Sequence, residues 1–192
     1  NGNYTYMETV YESDMYNATS HTLNSSDESE RELASQEFAN KDGWYLNLNI
    51  NGEKVLSSPL IIDYKVFFTT YVPAVSSTSS CAPPTGNSRA YLVNMFNANA
   101  VTDVNNDGEV NELDRAADLK QTGIAPETKI LIEDIVSPVV CLGTECVSAV
   151  IEVDEDGNEQ ACANAFECLA ENIYGRFERV QRGSWHSETE RE

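Results

Sequence analysis

Twelve consecutive residues, Asp103 to Asp114, carry oxygen donors at the spacing a hard cation needs. Asp103, Asn105 and Asp107 stand at positions 1, 3 and 5. Glu109 at position 7 would offer its backbone carbonyl, and Asn111 and Asp114 stand at positions 9 and 12. Ca²⁺ takes six to eight oxygens at about 2.3–2.6 Å, and short polar side chains at alternate positions of a tight loop converge on one point. Gly108 at position 6 falls where the chain must turn sharply, a place suited to a residue without Cβ. Val110 at position 8 is apolar and is expected to pin the loop to the body of the protein. The one departure from the twelve-residue pattern is Asp in place of Glu at position 12, which shortens the closing arm. Asn106-Asp107-Gly108 by itself signals only a solvated turn, but an ordinary turn does not also require carboxylates at positions 1, 5 and 12. Mg²⁺ fits less well, because it prefers near-octahedral sites that keep several waters.

Cysteine is the second chemistry-bearing type. The five lie at 81, 141, 146, 162 and 168, and the only histidines are His21 and His186. Zinc favours C-x-x-C pairs or added histidines, which these spacings do not supply. Disulfides and an oxidising compartment are the expectation. Proximity favours Cys141–Cys146 and Cys162–Cys168, although any cysteine can be the odd one and the other four then allow three pairings. No nucleophile elbow, zinc-protease helix or phosphate-cradling glycine loop is present. Acidic pairs such as Glu152 and Asp154 lie in a solvated acidic run, so the chain is expected not to be an enzyme.

Composition limits the partners. The chain has 192 residues, 41% of them hydrophobic, which is enough for one cored domain. Its 32 acidic and 12 basic residues give a net charge of −20. That excludes a nucleic-acid backbone as partner and disfavours anionic lipid, while cation-rich surroundings relieve the self-repulsion. No apolar run reaches the roughly 18–20 residues of a membrane span. The sequence opens at Asn1 without a signal peptide, and is expected to be a mature or trimmed fragment.

The elements that position the loop read mostly as β. Residues 4–11 make at best an edge strand, with Tyr4, Tyr6 and Val10 on one face. Asp27 followed by Glu30 suggests a capping box, and 28–40 are good helix formers with Gly43 as the stop. Trp44–Ile50 alternates and ends at an Asn51-Gly52 turn. Residues 54–62 and 65–72 are strands joined at Asp63-Tyr64, 73–88 form a loop carrying Cys81, and 89–95 is another strand. Together they are a four-stranded antiparallel meander, the make-up of one propeller blade. After the loop, 112–120 is expected to form one or two helical turns. Strands follow at 129–135, 139–141 and 146–153, then an acidic turn at 154–158. Residues 159–172 make a short helix or clipped loop, and 176–187 a last strand. The domain expectation is an N-terminal strand, linker and short helix over 1–43, a β domain over 44–187, and a charged tail over 188–192.

Gly43-Trp44-Tyr-Leu-x-Leu, Gly52-Glu-Lys-Val-Leu-Ser-Ser-Pro59, Val66-Phe-Phe-Thr-Thr-Tyr-Val-Pro73, Cys81 and Gly86-Asn-Ser-Arg-Ala-Tyr91, taken in order, resemble the closing part of the C-terminal β-propeller of PilY proteins. Arg182-Gly-Ser-Trp185 is similar to the way such chains end. These proteins are type IV pilus biogenesis factors and tip-associated adhesins. The resemblance covers about residues 28–95 and implies a partial β-propeller with one EF-hand-like calcium loop. It also implies a calcium-dependent, non-enzymatic role in pilus extension and retraction, adhesion and motility. Asp103, Asn105, Asp107, Glu109, Asn111 and Asp114 would hold the ion. The partners would be minor pilins or the rest of a propeller, and the location the pilus tip or outer cell surface, reached through the periplasm. Asn97-Ala-Asn departs from the family's Thr-Gly turn, and the chain is too short for a complete propeller.

Two rivals are weighed. A dockerin-like calcium-stabilised module usually carries a duplicated loop, and one loop stands here. A quinoprotein-like propeller enzyme would be expected to carry an adjacent cysteine pair, which is absent.

Overall fold

Residues 65–72 hold the densest run of β-branched and aromatic residues, and they pair antiparallel with residues 87–94 along their whole length, from Lys65 against Asn94 to Val72 against Asn87. They are the spine of a computed structural model that describes residues 9–20, 22–74, 85–132, 138–142, 145–148 and 164–171. Its elements run β1 (Met15–Asn17), α1 (Glu28–Phe38), β2 (Gly43–Tyr45), β3 (Lys54–Val55), β4 (Leu60–Ile62), β5 (Lys65–Val72), β6 (Asn87–Asn94), β7 (Ala116–Thr122), β8 (Lys129–Ile132), β9 (Pro138–Leu142), β10 (Glu145–Ser148) and α2 (Ala165–Glu171).

The fold is mostly β, and the described strands form three sheets. One five-stranded antiparallel sheet runs β3-β5-β6-β7, with β4 also on β5. A three-stranded antiparallel sheet runs β10-β9-β8. A two-stranded parallel pair joins β1 to β2. Among the described residues these sheets close into neither a barrel nor a propeller.

The two faces of the large sheet carry different chemistry, as the period of two dictates. On one face Phe67 opposes Leu92 and Ala90 opposes Ala117. These pack with Leu119, Val140 and Leu142 and with Phe166, Leu169 and Ala170 of α2 into the main core. Full burial of each large apolar side chain contributes about 1.5–3 kcal/mol. The other face carries Phe68 stacked on Tyr91 at 4.9 Å.

Several expectations are corrected. Residues 54–62 form two short strands, because the register against β5 shifts by two between Val55↔Thr70 and Leu60↔Phe67. In the gap Ser57 Oγ accepts from the Thr69 N–H at 3.3 Å and lies 2.6 Å from Thr69 Oγ1, where ladder bonds are missing. Pro59 has no N–H to give a ladder. Of residues 112–120 only Glu112–Arg115 is helical, as a single 3-10 turn that overlaps the end of the loop. Ala116–Thr122 is a strand, since Ala117 and Leu119 are buried while Asp118 and Lys120 are exposed, a period of two. The 44–50 alternation yields strand only at Gly43–Tyr45, which finds its partner in Met15–Asn17. Of the edge strand expected at 4–11, residues 9–11 are not in a strand and the rest lies outside the described residues. The loop carrying Cys81, the 154–158 turn, the 176–187 strand and the tail also lie at least partly outside them.

Other expectations hold. Asp27 Oδ1 caps α1, accepting from Ser29 and Glu30 N–H at 2.8 and 3.2 Å. Glu30 does not close the box and instead takes a hydrogen bond from Ser25 Oγ at 2.6 Å. Asp63 and Tyr64 make the tight turn, with φ of +46° and +58°.

The N-terminal segment is fastened to the β domain. Tyr16, Ala18, Ala34 and Ala98 form a second small core with Phe38, Trp44 and Leu46 packed against it. Trp44 Nε1 donates to the Met95 carbonyl at 2.8 Å.

Candidate metal centre

The six expected donors lie on one continuous hydrogen-bonded loop. The Asp107 N–H is shared by Asp103 Oδ1 at 3.3 Å and Asn105 Oδ1 at 2.8 Å. Asp103 Oδ2 accepts from Gly108 N–H at 2.8 Å, and Asp107 Oδ1 from Glu109 N–H at 2.9 Å. The sequence folds this way because Asp and Asn side chains readily accept from the backbone two residues on. Asn106 and Gly108 supply the left-handed turns, at φ +58° and +89°. At Gly108 the backbone angle, not lack of space, is what favours glycine, since a Cβ would meet nothing within 4 Å.

Asp114 closes the loop from inside. It is fully buried. Its Oδ1 accepts from Val104 and Asn105 N–H at 2.9 and 3.2 Å, and its Oδ2 from Asn111 N–H at 2.8 Å. Asn111 caps the following 3-10 turn by accepting from Leu113 N–H at 2.9 Å. The last donor of the loop is thus bonded to residues near its start. A carboxylate has about four acceptor sites, so Asp114 keeps capacity beyond its three amides.

The pinning residue differs from expectation. Val110 is 36% exposed, whereas Val104 at position 2 is buried in the main core. The residue just past the loop, Arg115, does comparable work and has no signature in the sequence. It is buried, and donates from Nη2 to the Ala18 carbonyl at 2.7 Å and from Nη1 to the Thr19 carbonyl at 3.0 Å. Burial lowers its pKa to about 10, against the opposing pull of Glu112.

Among the described residues no group of three or more His, Cys, Asp and Glu side chains is arranged to hold a metal ion. Asp103, Asp107 and Asp114 are thus not gathered into such a group in this structure; Asn105 and Asn111 would add amide oxygens and Glu109 a backbone carbonyl. Those donors suit calcium rather than zinc or copper.

A second polar cluster lies on the far face of the large sheet. The side chain of Glu53 is wholly buried. Its Oε1 accepts from Thr70 Oγ1 at 2.6 Å and Tyr91 Oη at 2.9 Å, and lies 3.8 Å from Arg89 Nη1. Arg89 Nε also pairs with Asp118 at 2.9 Å. Glu53 Oε2 has no hydrogen-bond partner among the described residues. Burial pushes the Tyr91 hydroxyl well above its ordinary pKa; Arg89 opposes this and the Glu53 hydrogen bond adds to it.

Cys141 and Cys146 are disulfide-bonded across the β9–β10 hairpin, where they are register partners. Cys168 is also in a disulfide, while Cys162 and Cys81 lie outside the described residues, as do His21 and His186.

Fold and site together define a mostly-β, disulfide-containing chain with one oxygen-lined twelve-residue loop. Comparison with protein-family models, with curated proteins and with solved structures finds no match.

Proposed function

We propose that residues 103–114 bind one Ca²⁺ and that the chain is a non-enzymatic, calcium-binding component of the type IV pilus machinery. The observation that carries the calcium reading is the buried Asp114 carboxylate, tied to the amides of Val104, Asn105 and Asn111. It draws both ends of the loop together, and within the loop Asp103 Oδ1 and Asn105 Oδ1 both accept from the Asp107 N–H. Bound calcium neutralises crowded carboxylates in a chain of net charge −20 and stabilises the folded state by mass action.

The pilus reading rests on the ordered resemblance of residues 43–91 to the end of the PilY propeller. Its support is that β3 to β6, which span most of that stretch, lie in one antiparallel sheet. In this account the sheet is one blade, and the remaining blades come from a longer precursor or from another chain. The site of action is extracellular, at the pilus tip or outer cell surface, and the partners are minor pilins.

Two experiments test this. In amide NMR spectra the Gly108 N–H, which points at Asp103, shifts on calcium addition, and does not shift in Asp107→Ala. In piliated cells that carry the gene, the Asp107→Ala allele abolishes the calcium dependence of surface motility. An allele indistinguishable from wild type contradicts the pilus role.

A further inference from the structure

We propose that Asn51 is a site of spontaneous covalent modification: it loses its side-chain amide through a succinimide formed with Gly52, and the isoaspartate that results loosens the large sheet at Glu53. This stands apart from the calcium reading.

The chemistry needs an asparagine, a following residue that leaves its nitrogen unscreened, and water. The Gly52 nitrogen attacks the Asn51 side-chain carbonyl carbon, loses its proton, and ammonia leaves. Water then opens the ring at either carbonyl and gives aspartate or isoaspartate; nothing is oxidised or reduced. Glycine favours the attack because it has no Cβ to shield its nitrogen. Among the described residues Asn51 is the one asparagine followed by glycine.

The fold leaves this pair open to reaction. Asn51 and Gly52 are both exposed, at the tip of the turn from Ile50 to Glu53. Among the described residues neither the Asn51 amide nor the Gly52 N–H makes a hydrogen bond. Asp107-Gly108 is the contrast. There the Gly108 N–H is held by Asp103 Oδ2 at 2.8 Å, and Asp107 Oδ1 by the Glu109 N–H at 2.9 Å. Attack at Asn51 requires its backbone to swing out of the turn. A single backbone hydrogen bond closes that turn, from the Glu53 N–H to the Ile50 carbonyl at 3.0 Å, and the strand that follows is two exposed residues, Lys54 and Val55. Opening is therefore a local event.

The position of the site gives the modification its effect. Gly52 has φ +79°, and a Cβ built on it would lie 2.7 Å from Pro73 Cγ, so the chain has little room to shift toward Pro73. An isoaspartate adds a methylene to the main chain just before this glycine. The next residue is Glu53, whose buried carboxylate joins Thr70 of β5 to Tyr91 of β6. Lengthening the chain that enters Glu53 moves its carboxylate off these partners.

The test incubates the full chain, folded and in guanidinium, at mildly alkaline pH. Peptide mapping by mass spectrometry locates amide loss, and isoaspartyl methyltransferase reports the isomer. Conversion is expected at Asn51 in the folded chain, several-fold slower than in the unfolded one, with isoaspartate among the products. Asn51→Gln, which would need a larger ring, is expected to end it. A folded chain that keeps Asn51 intact while the unfolded chain converts overturns the site, and so does amide loss confined to other asparagines. The isoaspartyl form, separated by ion exchange, is expected to melt below Asn51→Asp, which carries the same charge on a normal backbone. Equal melting of the two overturns the coupling to Glu53.

Discussion

Arg115 Nη2 lies 2.7 Å from the carbonyl oxygen of Ala18, a residue 97 positions earlier in the chain. This contact and its companion to Thr19 join the exit of the acidic loop to the N-terminal segment. Ala18 is itself buried, and a charge-assisted bond to each carbonyl is worth about 1.5–3 kcal/mol.

Arg115→Met, which keeps much of the side-chain volume, is therefore expected to destabilise the protein by roughly 2–3 kcal/mol. Urea unfolding at neutral pH reads this directly. A midpoint equal to wild type would mean the grip contributes nothing.

Asp114 and Asp107 are expected to part company on mutation. Asp114→Ala strands three buried or half-buried amides and is expected to cost about 2–4 kcal/mol even with chelator present. Asp107 is exposed, so Asp107→Ala is expected to leave chelator stability within about 0.5 kcal/mol of wild type. Thermal unfolding in chelator, then in calcium, separates the carboxylate that also holds the metal-free loop together from the one that acts through calcium alone.

Tyr91 is expected to resist ionisation. Its folded pKa lies above its unfolded value, so the stability it contributes is present below pH 10 and is lost as pH rises beyond it. Arg115, lowered to about 10, acts in the opposite direction over the same alkaline range. The difference between wild type and Tyr91→Phe isolates the tyrosine. Ultraviolet titration should find a tyrosine signal that appears only on alkaline unfolding, and that signal should be lost in Tyr91→Phe.

The Cys141–Cys146 bridge spans five positions. Loop-closure entropy for so short a ring gives about 2 kcal/mol. The double variant Cys141→Ser/Cys146→Ser is expected to lose that much in denaturant unfolding. No loss would indicate that the paired β9–β10 hairpin already restrains the unfolded chain.

Local chemistry was legible in the sequence wherever a residue's partner lies nearby. Asp27 caps α1, Asp63-Tyr64 turns the hairpin, and β5 spans the expected 65–72. Gly108 has the left-handed backbone its place in the loop demands. What the sequence hid depends on distant partners. Ala116–Thr122 is rich in good helix formers, yet β6 offers it a ladder and the core takes Ala117 and Leu119. The break at Ser57–Pro59 reflects a hydroxyl standing in for ladder bonds, which no propensity scale reports. Arg115 and Glu53 are invisible for the same reason: their partners lie 96 and 97 positions away for the one, and 17 and 38 for the other.

The measurement that bears most directly on the account is a calorimetric calcium titration of the chain and of Asp107→Ala. The account predicts one site in the wild type and none in the variant. A wild-type chain that takes up no calcium at millimolar concentration would contradict it, and residues 103–114 would then be an acidic turn held by its own hydrogen bonds.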